Sequence, residues 1–386
     1  MYTIHTINGY TVITIKHNDS NPGQIHLKDS IYITATIMSG HNYETKENAG
    51  IHHLLEHVLT EAWKPCGNDC SSFWDKKGVH TNASTHESYV YFFVNGLKKD
   101  MKLMTDYMTD IMTRPFFKQK NLEIEKHAVL NELLILKNDP ESKLYDAFNK
   151  EFYVNGLRYI NDYDLQIENL KKMNLETLRD FFKQIHQEII FVSNVEVFPN
   201  KEKTLKTLKK EIFSYSTKII YVPFKQKSTI LMMAMPIQLK KYYKMGAALS
   251  ILHMILFQEL RVKLKMVYGI TIALNLNPTY IFIKSTVEHK HALTVYEKII
   301  SSFKKYTKEN FPKDYIQGMK DKMRLEYQNT HQNSLFLVNH ILQEYKREGI
   351  ISYEKKISEI EKIKDFRSYM VEFKGLVGYQ GPVKIF

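Results

Sequence analysis

The chain has 386 residues, long for one core and comfortable for two domains, and its 44% hydrophobic and 25% charged residues are those of a globular protein. No apolar run approaches the ~20 residues a membrane span requires. The opening stretch 1–10 reads as a strand entering a turn, without the pattern of a secretion signal or transit peptide, so a cytoplasmic chain with no membrane partner is expected. The net charge of +12 invites a nucleic-acid role, but lysine supplies 47 of the 54 basic residues and arginine seven. Guanidinium is the better fork for bases and phosphates, and no nucleic-acid motif accompanies the charge. It reads instead as solvated lysine-rich faces, such as 201–210 and 355–364, with steering of acidic peptides left open.

Along the chain, strand-like runs span 10–16 and 30–38. The loop 39–48 leads to Gly50 and a helix through Leu59. After a loop containing Cys66 and Cys70 come the segment 77–84 and an alternating strand at 87–94. A helix at 98–112, a break at Pro115-Phe116-Phe117 and a long helix at 118–136 follow, and a strand at 189–197 closes the first half. The second half repeats this order: strand 228–235 ending at Pro236, apolar helix 245–257, strands 263–274 and 279–287, helix 291–305, a break at Phe311-Pro312, and helix 313–328. Sliding one half over the other places Thr81 on Tyr268, an offset of 187 residues, which is a duplication. The expected organisation is an N-terminal domain 1–214, a linker 215–227 and a C-terminal domain 228–386. Each is α+β, with an antiparallel sheet packed with helices.

The two cysteines read as free thiols in a loop, against a redox switch or a second metal site, because neither a second pair nor a nearby third ligand is present. Their scarcity also fits a reducing compartment.

The chemistry is carried by Gly50-Ile51-His52-His53-Leu54-Leu55-Glu56-His57. His53 and His57, four apart on a helix, point off one face one turn apart and can share an ion. Glu56 projects from nearly the same face and can take a proton from a water beside that ion without being a ligand. Zinc takes nitrogen and oxygen ligands in a tetrahedron, so two histidines and one glutamate leave a position open. The motif by itself is also compatible with two partly buried core histidines. The long helix offers Glu123, Glu125 and Glu132. Glu125 and Glu132 are seven apart, two turns along one face, and the leucines at 130, 133 and 134 predict a protected environment for Glu132 that needs a partner such as a metal. Glu125 is the natural supporting acid, and Glu123 reads as solvated.

In these features the chain resembles the insulinase/pitrilysin family of inverted-motif (His-x-x-Glu-His) zinc metallopeptidases, in its processing-peptidase-like two-domain branch. The family's glycine and glutamate ahead of the helix match Gly40, Glu44 and Gly50. Its zinc-binding glutamate, some 75 residues past the second histidine, matches Glu132, and its accompanying acid matches Glu125. Its Asn-Ala-x-Thr strand matches Asn82-Ala83-Ser84-Thr85, and its Arg and Tyr seven apart match Arg261 and Tyr268.

The resemblance implies a clamshell of two homologous domains around a chamber, with one Zn2+ on His53, His57 and Glu132 and Glu56 as general base. Peptide would pair beside Asn82, Ala83, Ser84 and Thr85, and Arg261 with Tyr268 would hold the oxyanion. It implies a zinc endopeptidase acting on short or unfolded peptides; a catalytically silent scaffold or partner subunit of the same fold is the alternative. Two departures stand out. Lys265 occupies the family's glycine position three residues before the tyrosine, where a left-handed backbone would cost about 1 kcal/mol. The chain also stops close to a final strand at 381–386, where an edge could be covered in a homodimer or a heterodimer.

Overall fold

A computed structural model of the chain describes residues 2–15, 29–185, 188–199, 212–237, 242–276, 278–332, 341, 345 and 353–386. The first elements are β1 (Tyr2–Ile7), β2 (Tyr10–Ile15), β3 (Ser30–Ile37), α1 (Ile51–Thr60), α2 (Cys70–Asp75), β4 (His80–Thr85) and β5 (Val90–Leu97). Then come α3 (Met101–Thr113), α4 (Gln119–Lys137), α5 (Ser142–Phe152), α6 (Tyr163–Lys172), α7 (Leu175–Ile185) and β6 (Ile189–Ser193). The second part comprises β7 (Ile219–Pro223), β8 (Ser228–Pro236), α8 (Tyr242–Leu256), a π-helical turn (Phe257–Lys263), β9 (Val267–Leu276) and β10 (Thr279–Glu288). It ends with α9 (Ala292–Lys308), α10 (Lys313–Gln332), α11 (Tyr353–Glu361) and β11 (Leu376–Gly381). The lysine run 201–210 lies outside the described residues.

The architecture is α+β, with two sheets that each carry helices. Contacts gather the chain into two units, one within residues 1–138, 155–211 and 329–350, the other within 139–154, 212–328 and 351–386. The first sheet has strand order β1-β2-β6-β3-β5-β4, the second β7-β11-β8-β10-β9. Both are mixed where antiparallel sheets were expected: β2 pairs with β6, and β11 with β7, in parallel. Antiparallel neighbours can be joined by a hairpin, whereas a parallel neighbour needs a crossover. β6 and β11 are the strands that arrive after long helical runs, a return that residue alternation does not encode.

In the first unit, alternation partitions the central strands. Ile31, Ile33, Ala35 and Ile37 of β3, with Val90, Phe92 and Val94 of β5, face the main core. The intervening Tyr91 and Phe93 join Ile13, Ile15, Ile190 and Val192 on the other face. Helix α1 buries Leu54, Leu55, Val58 and Leu59 in the main core beside Met104, Met108 and Ile111 of α3 and Leu122, Val129 and Leu133 of α4. At ~1.5–3 kcal/mol for each fully buried aliphatic side chain, this stripe fixes the rotation of α1, and hence which residues it shows to the outside.

In the second unit, α8 packs Met245, Ala248, Leu249, Leu252 and Leu256 against Leu231, Met233, Ile281 and Ile283 of the sheet and Val295, Ile299 and Phe303 of α9. The span Tyr242–Lys263 is long and apolar enough to cross a membrane by composition, with mean hydropathy 1.3, yet α8 serves here as a core helix. Lys263, expected to open a strand over 263–274, instead closes the π-helical turn, and β9 begins only at Val267. Buried Leu260 holds that turn to the core, which overrides its strand-like alternation. The two units repeat one plan in detail. Lys126 of α4 donates to the carbonyl of Met173 at 2.9 Å, just past the end of α6, and Lys320 of α10 donates to those of Glu361 and Ile363 at 2.8 and 2.9 Å at the end of α11.

Candidate metal centre

The site begins with the chain reversal ahead of α1. Gly40 sits where a Cβ would lie 2.4 Å from the His86 carbonyl oxygen and the Tyr89 nitrogen, so only glycine fits. Gly50 starts the helix with φ of 93°, a left-handed conformation that disfavours side chains. Between them, buried Glu44 gathers four donors. Its carboxylate accepts from the Gly50 and His52 backbone N–H groups, each at 3.0 Å, from His52 Nδ1 at 3.0 Å and from His41 Nδ1 at 3.2 Å. The Ser39 hydroxyl meets His52 Nε2 at 2.9 Å. Burial opposes ionisation of Glu44, but the charges and hydrogen bonds of His41 and His52 outweigh it and hold the carboxyl far below its ordinary range. Glu44 thereby satisfies orphan donors of the first turn of α1 and sits favourably at its dipole.

Oriented in this way, α1 presents His53, Glu56 and His57 to a cavity of about 660 Å³. The metal-ligating atoms of His53, His57 and Glu132 lie within 4.8 Å of one another. Glu132 Oε2 is 3.2 Å from His53 Nε2 and 3.7 Å from His57 Nε2. Ligands of a tetrahedral ion at ~2.0–2.1 Å are about 3.3–3.4 Å apart, so this donor set fits zinc with little adjustment. Glu125 Oε2, 3.0 Å from His57 Nδ1, fixes that ring with Nε2 toward the other two donors. Burial, then repulsion from His57, lowers the His53 pKa to about 4, so its imidazole is neutral and able to ligate. Burial also disfavours charge on His57, but the Glu125 hydrogen bond and the Glu56, Glu132 and Glu125 charges reverse it and raise its pKa.

Glu132 itself is a correction. It was expected to be shielded by its leucine neighbours, yet its side chain is 49% exposed. The buried stripe of α4 is Leu122, Val129 and Leu133, while Leu134 points outward and is 48% exposed. Glu132 lies beside that stripe at the cavity rim. Glu125 is more enclosed, and Glu123 is exposed.

Among the described residues, strand β4 is an edge strand hydrogen-bonded only to β5, and Thr81, Asn82, Ala83, Ser84 and Thr85 line the same cavity. The Thr85 hydroxyl donates to Glu56 Oε2 at 2.6 Å. Burial raises the Glu56 pKa despite that hydrogen bond. Asn82 Oδ1 accepts the Ala83 N–H, and Ser84 Oγ meets His86 Nε2 at 2.8 Å.

Arg261 and Tyr268 belong to the second unit. Arg261, on the π-helical turn, donates from its guanidinium to the Val267 carbonyl at 3.3 Å, and Tyr268 is 61% exposed. Lys265 between them has φ of 54°, so the left-handed conformation expected at this glycine position is adopted by lysine. Cys66 and Cys70, expected as free thiols, are joined in a disulfide with Cα atoms 4.9 Å apart. The turn at Lys64–Cys66, starting beside buried Trp63, brings them together. The cavity wall also includes residues without a sequence signal, among them His41, Thr60, Glu61, Ser71, Tyr163 and Gln166.

His53, His57 and Glu132 thus set three metal-ligating side chains beside an open strand edge. Residues 24–158 match the family model described as "Insulinase (Peptidase family M16)". The chain is 30% identical over 110 residues to an uncharacterised zinc protease of Streptomyces coelicolor and 22% identical over 175 residues to the mitochondrial-processing peptidase subunit beta of Dictyostelium discoideum. Those matches cover 28% and 45% of this chain, but only 24% and 37% of the relatives' lengths.

The fold similarity extends over the whole chain. A protease from Helicobacter pylori superposes with a TM-score of 0.82 at 14% identity, covering 99% of both chains. A peptidase M16 inactive domain from Pseudomonas fluorescens gives 0.77 at 13% identity, covering 100% of this chain and 98% of that one. The periplasmic protease PqqL from Escherichia coli gives 0.79 at 11% identity, and there 99% of this chain corresponds to 46% of the other.

Proposed function

We propose that the chain is a zinc-dependent endopeptidase acting on short or unfolded peptides. The observation that carries this reading is the convergence of His53, His57 and Glu132 on one point, with Glu56 beside them and an open strand edge along the same cavity. His53, His57 and Glu132 would hold the zinc, which supplies Lewis acidity toward a peptide carbonyl and makes water easier to deprotonate. Glu56, its proton affinity raised by burial, takes the proton from the attacking water and returns it to the leaving amine. Thr85 holds the Glu56 carboxylate in place. The peptide is gripped as an added strand on β4, through Asn82, Ala83, Ser84 and Thr85, which makes recognition rest largely on backbone hydrogen bonds.

Arg261 and Tyr268 complete the proposal as candidate donors to the oxyanion. A substrate chamber would be finished by a second copy or a related chain.

The test is direct. Purified protein should bind one zinc per chain and cleave a mixed peptide library, and Glu56→Gln should keep the zinc while losing hydrolysis by at least a hundredfold. Undiminished cleavage by that variant would sink the mechanism. The second reading is a catalytically silent partner subunit, favoured by the similarity to a solved domain described as inactive. It predicts no cleavage by the zinc-loaded chain alone or with any partner.

A further inference from the structure

The cavity continues past the end of α1, where its wall is made by Thr60, Glu61, Cys70, Ser71 and Thr81. Glu61 comes four residues after His57, so it shares the face of the metal-binding histidines and lies about 6 Å further along the helix axis. Its position is firmly set. Its Oε2 accepts the Cys70 N–H at 2.7 Å, and its own carbonyl accepts from Asn121 Nδ2 at 3.0 Å. Trp63 and Trp74, stacked with centroids 5.5 Å apart, pin both ends of the intervening loop.

Among the described residues, no lysine or arginine lines the cavity beside Glu61. Burial pushes its carboxyl up, aided by the neighbouring acids Glu125 and Asp69 and opposed by the backbone N–H groups of Cys70 and Ser71 at the start of α2. In a chain with 54 basic residues, this is a local exclusion. A half-buried carboxylate held by backbone N–H groups still gains from a cationic side chain brought in beside it.

The direction of the substrate follows from β4. Thr85 touches Glu56, and Thr81 lies four residues back, toward Glu61. A peptide antiparallel to β4 therefore runs from Thr85 toward Thr81, and its residues after the cleaved bond arrive at Glu61. A lysine stem of four carbons spans the step from the reacting carbonyl to that carboxylate.

We propose that Glu61, with Thr60 and Ser71, forms a subsite that selects lysine or arginine immediately after the cleaved bond; this rests on the peptidase reading above. The experiment uses zinc-loaded full-length chain and matched peptides with one cleavable bond, followed by Lys, Leu or Glu. The ratio of kcat/KM for Lys over Leu should exceed about ten and fall at least tenfold in Glu61→Gln, which keeps an acceptor for Cys70. Glu61→Lys should shift preference toward the Glu peptide. Fluorescence anisotropy of the same labelled peptides on Glu56→Gln, with and without Glu61→Gln, should show the same fall in the Lys-to-Leu affinity ratio. An equal loss on both peptides, or an unchanged ratio, overturns the subsite. If the wild type cleaves nothing, the peptidase reading fails, and the anisotropy ratio still decides the role of Glu61.

Discussion

Replacing Glu44 tests whether the metal helix is held from behind. This carboxylate is 3% exposed and takes four hydrogen bonds, two of them from backbone N–H groups at the start of α1. Glu44→Ala leaves the Gly50 and His52 N–H groups buried without acceptors, at about 1–3 kcal/mol each. It also removes an anion from the helix N-terminus, worth about 0.5–1 kcal/mol. His52 can still bond Ser39, so the expected loss is about 4 kcal/mol. Glu44→Gln retains one carbonyl oxygen and should lose roughly half as much.

The same group sets a pH dependence. Its folded-state pKa is depressed, below an unfolded value of about 4.3. Its stabilisation is therefore complete above roughly pH 5 and drains away as pH falls toward the folded-state pKa. The gap between wild type and Glu44→Gln should be widest near pH 7 and narrower at pH 3. Urea unfolding followed by tryptophan fluorescence is the assay, because both tryptophans, Trp63 and Trp74, are buried in the first unit's core. A loss below about 1 kcal/mol for the alanine variant, or a glutamine gap that does not change with pH, would refute the reasoning.

Three further substitutions probe separate parts. Glu125→Gln removes the anion behind His57 and should weaken zinc binding about 10–100-fold in competition with a chromophoric chelator; unchanged affinity would remove Glu125 from the site. Gly50→Ala forces a side chain onto a φ of 93°, with its Cβ 3.4 Å from the Gln166 side chain, and should destabilise the first unit by about 1–2 kcal/mol in the same fluorescence assay. Lys265→Gly relieves a left-handed lysine and should stabilise the second unit by about 1 kcal/mol in calorimetry, with no gain counting against strain at that position.

The metal helix was legible because its buried and exposed positions follow one period. The same holds for the alternating strands around Ile33 and Phe92, where each residue faces one of two cores. Less legible was anything decided by long-range return of the chain. Whether β6 enters beside β2 in parallel depends on the crossover preceding it, whereas the apolar residues of α5 and α7 recur with a clear helical period, so those two helices were legible. The π-helical turn shows a related limit, since 263–274 alternates like a strand until the packing of Leu260 is known. The protection expected for Glu132 failed for a simpler reason. Adjacent leucines on a helix point in different directions, so Leu133 is buried while Leu134 is not.

The division of α1 into two faces also explains why the site can be both rigid and open. Ile51, Leu54, Leu55, Val58 and Leu59 are buried, and His53, Glu56, His57, Thr60 and Glu61 are the residues left for the cavity. A one-residue slip would turn the helix by about 100°, carrying part of the leucine stripe outward and a metal-face histidine inward, so the apolar stripe and the metal face enforce each other. His52 belongs to neither set: it is fully buried, and its ring reaches back to Glu44 and Ser39. That one polar anchor fixes the axial position of α1, which the apolar stripe alone leaves free to slide. The coordination geometry of His53 and His57 thus depends on a residue that touches no ligand, which is why the loss of Glu44 should reach the metal as well as the fold.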